Sequence, residues 1–422
     1  MKTEEALGKV ETAAGGGGFW PCCLAVSRFI LRPAIILPVL SIIYLCVTVP
    51  MLSRLVKNPE QAARFVSEDA AQYREIGQEF AGGDLSMAYV ARKPHRQPLY
   101  PLLLAPALKL GGGGLFALGL VNIIIGLATL VALYFAVLRL FDNALVAALL
   151  GASFVDSWYL MRQVSTQLMT EPLFILLEIP IIYCFLRYVE KRQPRWLWLA
   201  SAAAGLSYLA RTNGLFVSLA MVGTLFCWDV WCWLRDRAGT PLLRLARTYA
   251  VAALIGVICT APSWVPRLRD YGNPIFHGHL SNFMWVDTYE EARSHGEKPF
   301  YTWHDYAAKH TAGDAFRRWW DGFGEICYRL PYRVDHTLQW AAMVGIALAL
   351  ATRNRRFLLL TLFCFIQLQP LMWTSIADRH SRRIGYPGVV CFEWFLAAFA
   401  LAWVAEMAWR RMKPISRSKE VA

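Results

Sequence analysis

The stretch "PAIILPVLSIIYLCVTVPM", residues 33–51, carries no charged side chain, and apolar stretches of comparable length recur as far as residue 409. A helix rising about 1.5 Å per residue needs about 20 such residues to cross a hydrocarbon core about 30 Å thick. Further spans are readable at 115–138, 143–159, 172–189, 196–210, 214–234, 246–265, 338–351, 357–374 and 386–409. With 56% hydrophobic and 17% charged residues and a mean hydropathy of +0.36, the chain has more apolar side chains than a soluble core of its size would hold. These features predict an all-α polytopic membrane protein.

The formal net charge of +13 is spread over short basic clusters between the apolar stretches, not gathered into one tract. That pattern reads as membrane topology and attraction to anionic lipid, and it excludes nucleic acid as the partner. Most of the ten cysteines lie inside apolar segments (Cys46, Cys184, Cys259, Cys364, Cys391), and neither "PCCL" nor "CWDVWC" has zinc-site spacing. Free thiols and no structural metal are expected. No small-residue cleavage site follows the first apolar run, so it reads as a retained span and not as a removed signal peptide.

Topology turns on "PLYPLLLAPALKL", which starts at Pro98 and is too short to cross. If it only dips into the membrane, "LRLFDN", "EKRQPR", "RDRAGTPLLRLAR", "TRNRR" and "RRMK" all fall on the side of the N-terminus, as the positive-inside rule requires. The expected layout has ten spans with both termini cytoplasmic. It comprises a lead (1–32), a transmembrane catalytic module (33–265) with an outer loop (52–114), a large extracytoplasmic loop (266–337), C-terminal spans (338–411) and a tail (412–422). The polar residues able to do chemistry then share the extracytoplasmic side.

Within the first outer loop, Ala62, Phe65, Val66, Tyr73, Ile76 and Phe80 form an apolar stripe at helical spacing, and Asp69 falls in its middle. A carboxylate on a face due for burial needs a partner. The alternative is a helix that starts at Ser67, with Asp69 favouring the dipole of its first turn. Glu68 lies on the polar face. Next, "ARKPHRQPLYP" sets Arg92, Lys93, His95 and Arg96 ahead of the short apolar piece. Interfacial snorkelling accounts for Arg92 and Lys93 as well as function does, whereas Arg96 is the candidate anion ligand.

Glu171 precedes Pro172 in "TQLMTEPLF", where helix capping and function are equally good readings. Arg211 in "YLARTNGL" separates two apolar helices, as a hinge or as a ligand contact. The short loop "DRHSRRIGYP" packs Arg379, His380, Arg382 and Arg383 against one offsetting acid, Asp378, and a bound phosphate accounts for such crowding. Trp285, Trp303, Trp319 and Trp320 in the late loop suit either sugar stacking or the membrane interface, and packing is the safer expectation. The histidines His277, His279, His295, His304 and His310 lack metal-site spacing.

Taken in order, these residues resemble the GT-C class of membrane glycosyltransferases, in the branch of protein O-mannosyltransferases, lipid A aminoarabinose transferases and bacterial RgtA/B/C/D-like enzymes. The resemblance spans roughly 33–400: Asp69 and Tyr73, a basic residue before "PLYP", "TEPLF", "GLSYLARTNGL", "PSWVPRLRDYGNPIF" and a late "RH…YP". It implies a GT-C fold of about 10 transmembrane helices, with an amphipathic first outer loop and a large late one. It also implies an inverting transfer of sugar from a polyprenyl-phosphate donor to a hydroxyl of lipid, glycan or protein, with Asp69 as the base. Arg96, followed by Gln97 and Pro98, stands where the aminoarabinose branch has lysine and two prolines; the charge is kept and its geometry changed. Arg96, Arg379, His380, Arg382 and Arg383 are then the expected donor-phosphate ligands, and Glu68, Tyr73, Tyr100, Glu171 and Arg211 the substrate-orienting set. Some members of the wider class bind a divalent metal between loop acids, and Asp69 with Glu171 could do so. The branch resembled implies a metal-independent site, in a bacterial-type cell membrane more than in the endoplasmic reticulum. The rival reading is a transporter or lipid flippase, which would favour ionisable residues within spans and repeated halves; only Glu178 and Glu393 lie in mid-span and no repeat is visible.

Overall fold

The computed structural model describes residues 32–65, 68–86, 96–157, 167–236, 242–277, 282–288, 291, 301–329, 336–374 and 387–412. The side chain of Glu68, and Arg92, Lys93, His95, His279, His295, Arg379, His380, Arg382 and Arg383, lie outside the described set. Among the described residues the regular structure is helical. In chain order the elements are α1 (Pro33–Lys57), α2 (Pro59–Phe65), α3 (Glu68–Ala81), α4 (Leu99–Leu110), α5 (Leu115–Phe141), α6 (Ala144–Asp156), α7 (Glu171–Lys191) and α8 (Pro194–Ala210). They continue as α9 (Gly214–Arg235), α10 (Leu242–Tyr271), α11 (Asn282–Trp285), α12 (Trp303–Lys309), α13 (Ala312–Arg329), α14 (His336–Ala351), α15 (Arg355–Thr374) and α16 (Pro387–Met412).

Among the described residues, seven helices are long and apolar enough to cross a membrane: α1, α5, α7, α9, α10, α15 and, over Gly388–Arg410, α16. The other three expected spans are helices of 13 (α6), 17 (α8) and 16 (α14) residues. At about 1.5 Å per residue they measure about 20–26 Å, short of a full crossing unless the local bilayer is thin. The piece beginning at Pro98 is the 12-residue helix α4, too short to span. A second difference from expectation is α10, which continues through Pro262 and Pro266 to Tyr271 where the sequence suggested a stop at 265. Proline inside a membrane helix is tolerated where neighbouring segments and side chains can re-satisfy the freed backbone groups.

In lipid the drive for helix association is close packing and not the removal of apolar surface from water. The buried aromatic contacts show where it acts. Trp394 of α16, the largest fully buried side chain, meets Phe154 of α6, which stacks on Tyr44 of α1. Phe363 of α15 joins Phe185 of α7 to Phe392 of α16 at 5.1 and 4.9 Å. The helices α7 and α16 are accordingly central, and α1 and α10 present most of their surface outward. Glycines set the closest approaches: a Cβ at Gly205 of α8 would lie 2.6 Å from Cys259 Cβ of α10, and one at Gly345 of α14 would overlap the Leu396 carbonyl of α16. Because the obstacle at Gly345 is backbone, Gly345→Ala should push α14 away from α16 and destabilise the protein by about 1–3 kcal/mol. Thermal unfolding in detergent checks this; an unchanged Tm would show that the two helices are not held this closely.

The turns between helices fall into two groups. The α5–α6, α7–α8 and α14–α15 turns meet at one end, where Arg187 donates to the Arg139 carbonyl and Glu190 pairs with both Arg187 and Arg356. At the opposite end are the first turns of α3 and α7, the entry to α4 and the α8–α9 junction. The late-loop helix α13 joins that second end, its Trp319, Phe323 and Ile326 packing on Leu368 and Met372 near the end of α15.

Candidate active site

Of the apolar stripe, Tyr73, Ile76 and Phe80 on α3 and Phe65 at the end of α2 are 0–7% exposed, Ala62 is half-buried, and Val66 lies outside the described residues. Contact with α4 is close, since a Cβ on Gly77 would lie 2.8 Å from Leu108 Cδ1 and 3.2 Å from the Pro101 carbonyl. This packing fixes the direction of the first turn of α3 and of the chain entering α4. The helix begins at Glu68, so Asp69 is in its first turn as the simpler sequence reading held. It also has a partner there, because Arg96 pairs with it.

Arg96 organises the surroundings of Asp69. Its Nη2 donates to Asp69 Oδ1, its Nε to Gln72 Oε1 at 2.7 Å and its Nη1 to the Tyr73 hydroxyl at 3.4 Å, while the guanidinium sits 5.0 Å from the Tyr73 ring centroid. Burial opposes the charge on Arg96, yet Tyr73 and Asp69 beside it hold the guanidinium above its ordinary range. Planarity and five donors allow arginine to serve three acceptors at once, which a lysine could not do with the same geometry.

Behind Tyr73, the Tyr100 ring meets it edge-on at 5.4 Å. The Tyr100 hydroxyl donates to Asn122 Oδ1 at 2.8 Å, and Asn122 Nδ2 donates to the Gln167 carbonyl at 2.7 Å, just ahead of α7. Glu171, the first residue of α7, pairs with Arg211 at 2.9 Å. The Thr170 side chain does not cap this helix; its hydroxyl accepts from Arg211 at 3.2 Å instead.

A second arm runs from Gln97, 2% exposed. Its amide nitrogen donates to Thr212 of the α8–α9 junction at 3.4 Å, and its oxygen accepts from Ser263 of α10 at 2.8 Å. Arg267, fully buried, donates to Ser263, to the Tyr208 hydroxyl at 3.3 Å and to the Arg96 carbonyl at 3.5 Å. The Tyr208 hydroxyl in turn lies 3.4 Å from His277 Nε2.

The structure thus brings Asp69, Tyr73, Arg96, Tyr100, Glu171 and Arg211 to one end of the bundle, Glu171 and Arg211 as a pair beside the contacts around Arg96 and Tyr100. Their accessibilities separate their capacities. The Asp69 side chain is 37% exposed and Glu171 2% exposed, so only Asp69 can meet an external hydroxyl directly. Glu171 and the fully buried Tyr100 act on what surrounds them. Among the described residues no group of three His, Cys, Asp or Glu side chains is placed to hold a metal ion. Gln72, Asn122, Tyr208, Ser263 and Arg267 were given no role in sequence, and Gln97 was noted only as a departure from the aminoarabinose pattern. Asn122 as a lone amide within "LGLVNIIIG" and Arg267 between prolines and a second arginine in "PSWVPRLRDY" were the available signals.

Of the late-loop tryptophans, Trp285 packs on Tyr306 and Trp373, and Trp319 stacks on Phe323 and donates to Gln369 at 2.7 Å. Trp303 and Trp320 are each 56% exposed.

Comparison with known proteins adds an independent line. Residues 92–265 match the family of dolichyl-phosphate-mannose-protein mannosyltransferases, a segment that contains Arg96, Tyr100, Asn122, Glu171, Arg211 and Ser263. The match supports a membrane glycosyltransferase of the GT-C class. The crystal structure of the Archaeoglobus fulgidus oligosaccharyltransferase complex with Zn and sulfate is similar over 90% of this chain and 55% of that chain, with a TM-score of 0.42 and 13% identity. The chain therefore spans about half the length of that solved structure. No curated protein matches the sequence.

Proposed function

We propose that this chain, as a GT-C class membrane glycosyltransferase, moves a sugar from a polyprenyl-phosphate donor to an acceptor hydroxyl by single inverting displacement. The observation that carries the proposal is the accessible carboxylate of Asp69, held by Arg96 at the end of the bundle away from the basic turns. By the positive-inside rule the basic turns are cytoplasmic, so the reaction takes place on the extracytoplasmic side of a bacterial-type cell membrane.

The chemistry assigns a task to each group. An alcohol is a weak nucleophile with a pKa far above 7, so a carboxylate must accept its proton as the new bond forms. Asp69 takes that proton. The acceptor oxygen bonds to the anomeric carbon, the bond from that carbon to the phosphate oxygen breaks, and polyprenyl phosphate leaves with the electron pair. Charge grows on the phosphate, and Arg96, fixed by Gln72 and Tyr73, is the cation at hand to stabilise it. Arg379, His380, Arg382 and Arg383, in the sequence joining α15 to α16, are proposed to supply further positive charge. Arg267 bears on the reaction indirectly, by bracing the Arg96 carbonyl from within the bundle. Asp69 and Glu171 each already face an arginine, which fits a site working without a divalent metal.

The test is release of free polyprenyl phosphate from a panel of polyprenyl-phosphate sugars by purified protein in lipid, with membrane extract as acceptor. Release with one donor supports the proposal and names the sugar. No release with any donor, from protein shown to be folded, would overturn it in favour of transport, to be followed by lipid-flip assays.

A further inference from the structure

A concave site lies at the basic end of the bundle. The cavity, of about 540 Å³, is framed by the α5–α6 turn, the α14–α15 turn and the C-terminal half of α16. Phe141 and Asn143 line it from α5–α6, Asn354 and Arg356 from α14–α15, and Phe399 and Trp403 from α16. Asn122, part of the candidate active site, is 19 residues before Phe141 on α5, which puts the cavity about 28 Å further along the helix.

The polar groups here are biased toward donors. Asn143 Oδ1 accepts from the Val146 amide at 3.1 Å and Asn354 Oδ1 from the Arg356 amide at 3.2 Å. Each amide oxygen is used to start a helix, which leaves the two NH₂ groups as the polar ends to offer a ligand. The Thr352 hydroxyl donates to the Leu348 carbonyl at 2.6 Å. Charge is biased in the same sense. Glu190 faces two guanidinium groups, Arg187 at 2.9 Å and Arg356 at 3.3 Å. The cavity's own acid, Glu406, is paired with Arg410 at 2.5 Å. Arg139, Arg353 and Arg355 stand exposed in the framing turns against one exposed acid, Asp142.

We propose that this cavity holds the phosphate-bearing headgroup of an anionic phospholipid, with Arg356 and the Asn143 and Asn354 amides on the phosphate. The aromatic wall distinguishes a lipid from free phosphate. Phe399, Trp403 and Trp409 line the apolar side, an aromatic wall of the kind found at the membrane interface.

The experiment is thermal unfolding of the purified full chain in neutral detergent, titrated separately with phosphatidylglycerol, phosphatidylcholine and inorganic phosphate. Phosphatidylglycerol should raise Tm, and the other two should leave it in place. Arg356→Gln should remove that shift. So should Ala402→Phe, which adds bulk to the cavity wall from α16 and leaves Arg356 in place. Equal shifts with both lipids, or a shift reproduced by inorganic phosphate, would overturn the proposal. So would a shift that survives in folded Ala402→Phe. Should either variant fail to fold, native mass spectrometry of the wild type decides: one retained phosphatidylglycerol supports the site, and none refutes it. Neither readout depends on glycosyl transfer.

Discussion

Asp69→Asn should reduce sugar transfer by about 10²–10⁴-fold, the range associated with losing a positioned general base. Asparagine keeps the shape of the side chain and an oxygen able to accept from Arg96, so the first turn of α3 and the contacts of Arg96 to Gln72 and Tyr73 should persist. What is lost is the ability to hold a proton. That ability matters only as the acceptor oxygen bonds to carbon, so kcat should fall and the KM for the donor should change little. A merely structural Asp69 would behave differently. Its main service would then be to anchor Arg96, and Gln72→Leu, which removes another anchor of the same guanidinium, should damage transfer to a similar degree. If the two variants lose equal activity, or if both change KM and not kcat, Asp69 is not the base.

Much of the arrangement that gives Asp69 this setting was legible in sequence, for a physical reason. In a membrane chain, polar residues beside apolar ones are conspicuous: Arg96, Glu171 and Arg211 stand at the ends of apolar segments, and Asp69 interrupts an apolar stripe. Tyr73, Ile76 and Phe80 specified the buried face of α3, and Phe65 is likewise buried at the end of α2. The shortness of "PLYPLLLAPALKL" likewise separated α4 from the spanning helices. Pairing was not legible. Nothing in the spacing says that Arg96 turns back 27 residues to Asp69, or that Gln97 reaches Ser263 166 residues away. Residues deep in apolar runs were hidden for the opposite reason: Asn122 and Ser263 read as minor interruptions of a span, although each bonds a neighbouring segment. The extent of α10 was misjudged because Pro262 and Pro266 read as a stop, a rule that weakens inside a membrane bundle, where proline within a helix is tolerated.

Arg211→Leu should cost about 3–5 kcal/mol of stability, because it leaves Glu171 buried without its cation. Glu171 is 2% exposed at the start of α7, and Arg211, 17% exposed, reaches it from the extended residue that closes α8. Removing the guanidinium gives no compensation by water at so closed a site. Replacing the carboxylate as well, in Glu171→Gln with Arg211→Leu, should recover part of the loss, since a neutral amide carries a much smaller desolvation penalty than an unpaired charge. Unfolding of the two variants in detergent gives the comparison, and a cost below about 1 kcal/mol for Arg211→Leu would show that the pair behaves like an exposed one. The consequence for transfer follows from geometry. Glu171 opens the helix just after Gln167, whose carbonyl holds Asn122; Asn122 holds Tyr100, and Tyr100 backs Tyr73 beside Asp69. Arg211→Leu should therefore lower activity less than Asp69→Asn does, by loosening the wall behind the base while the base itself remains.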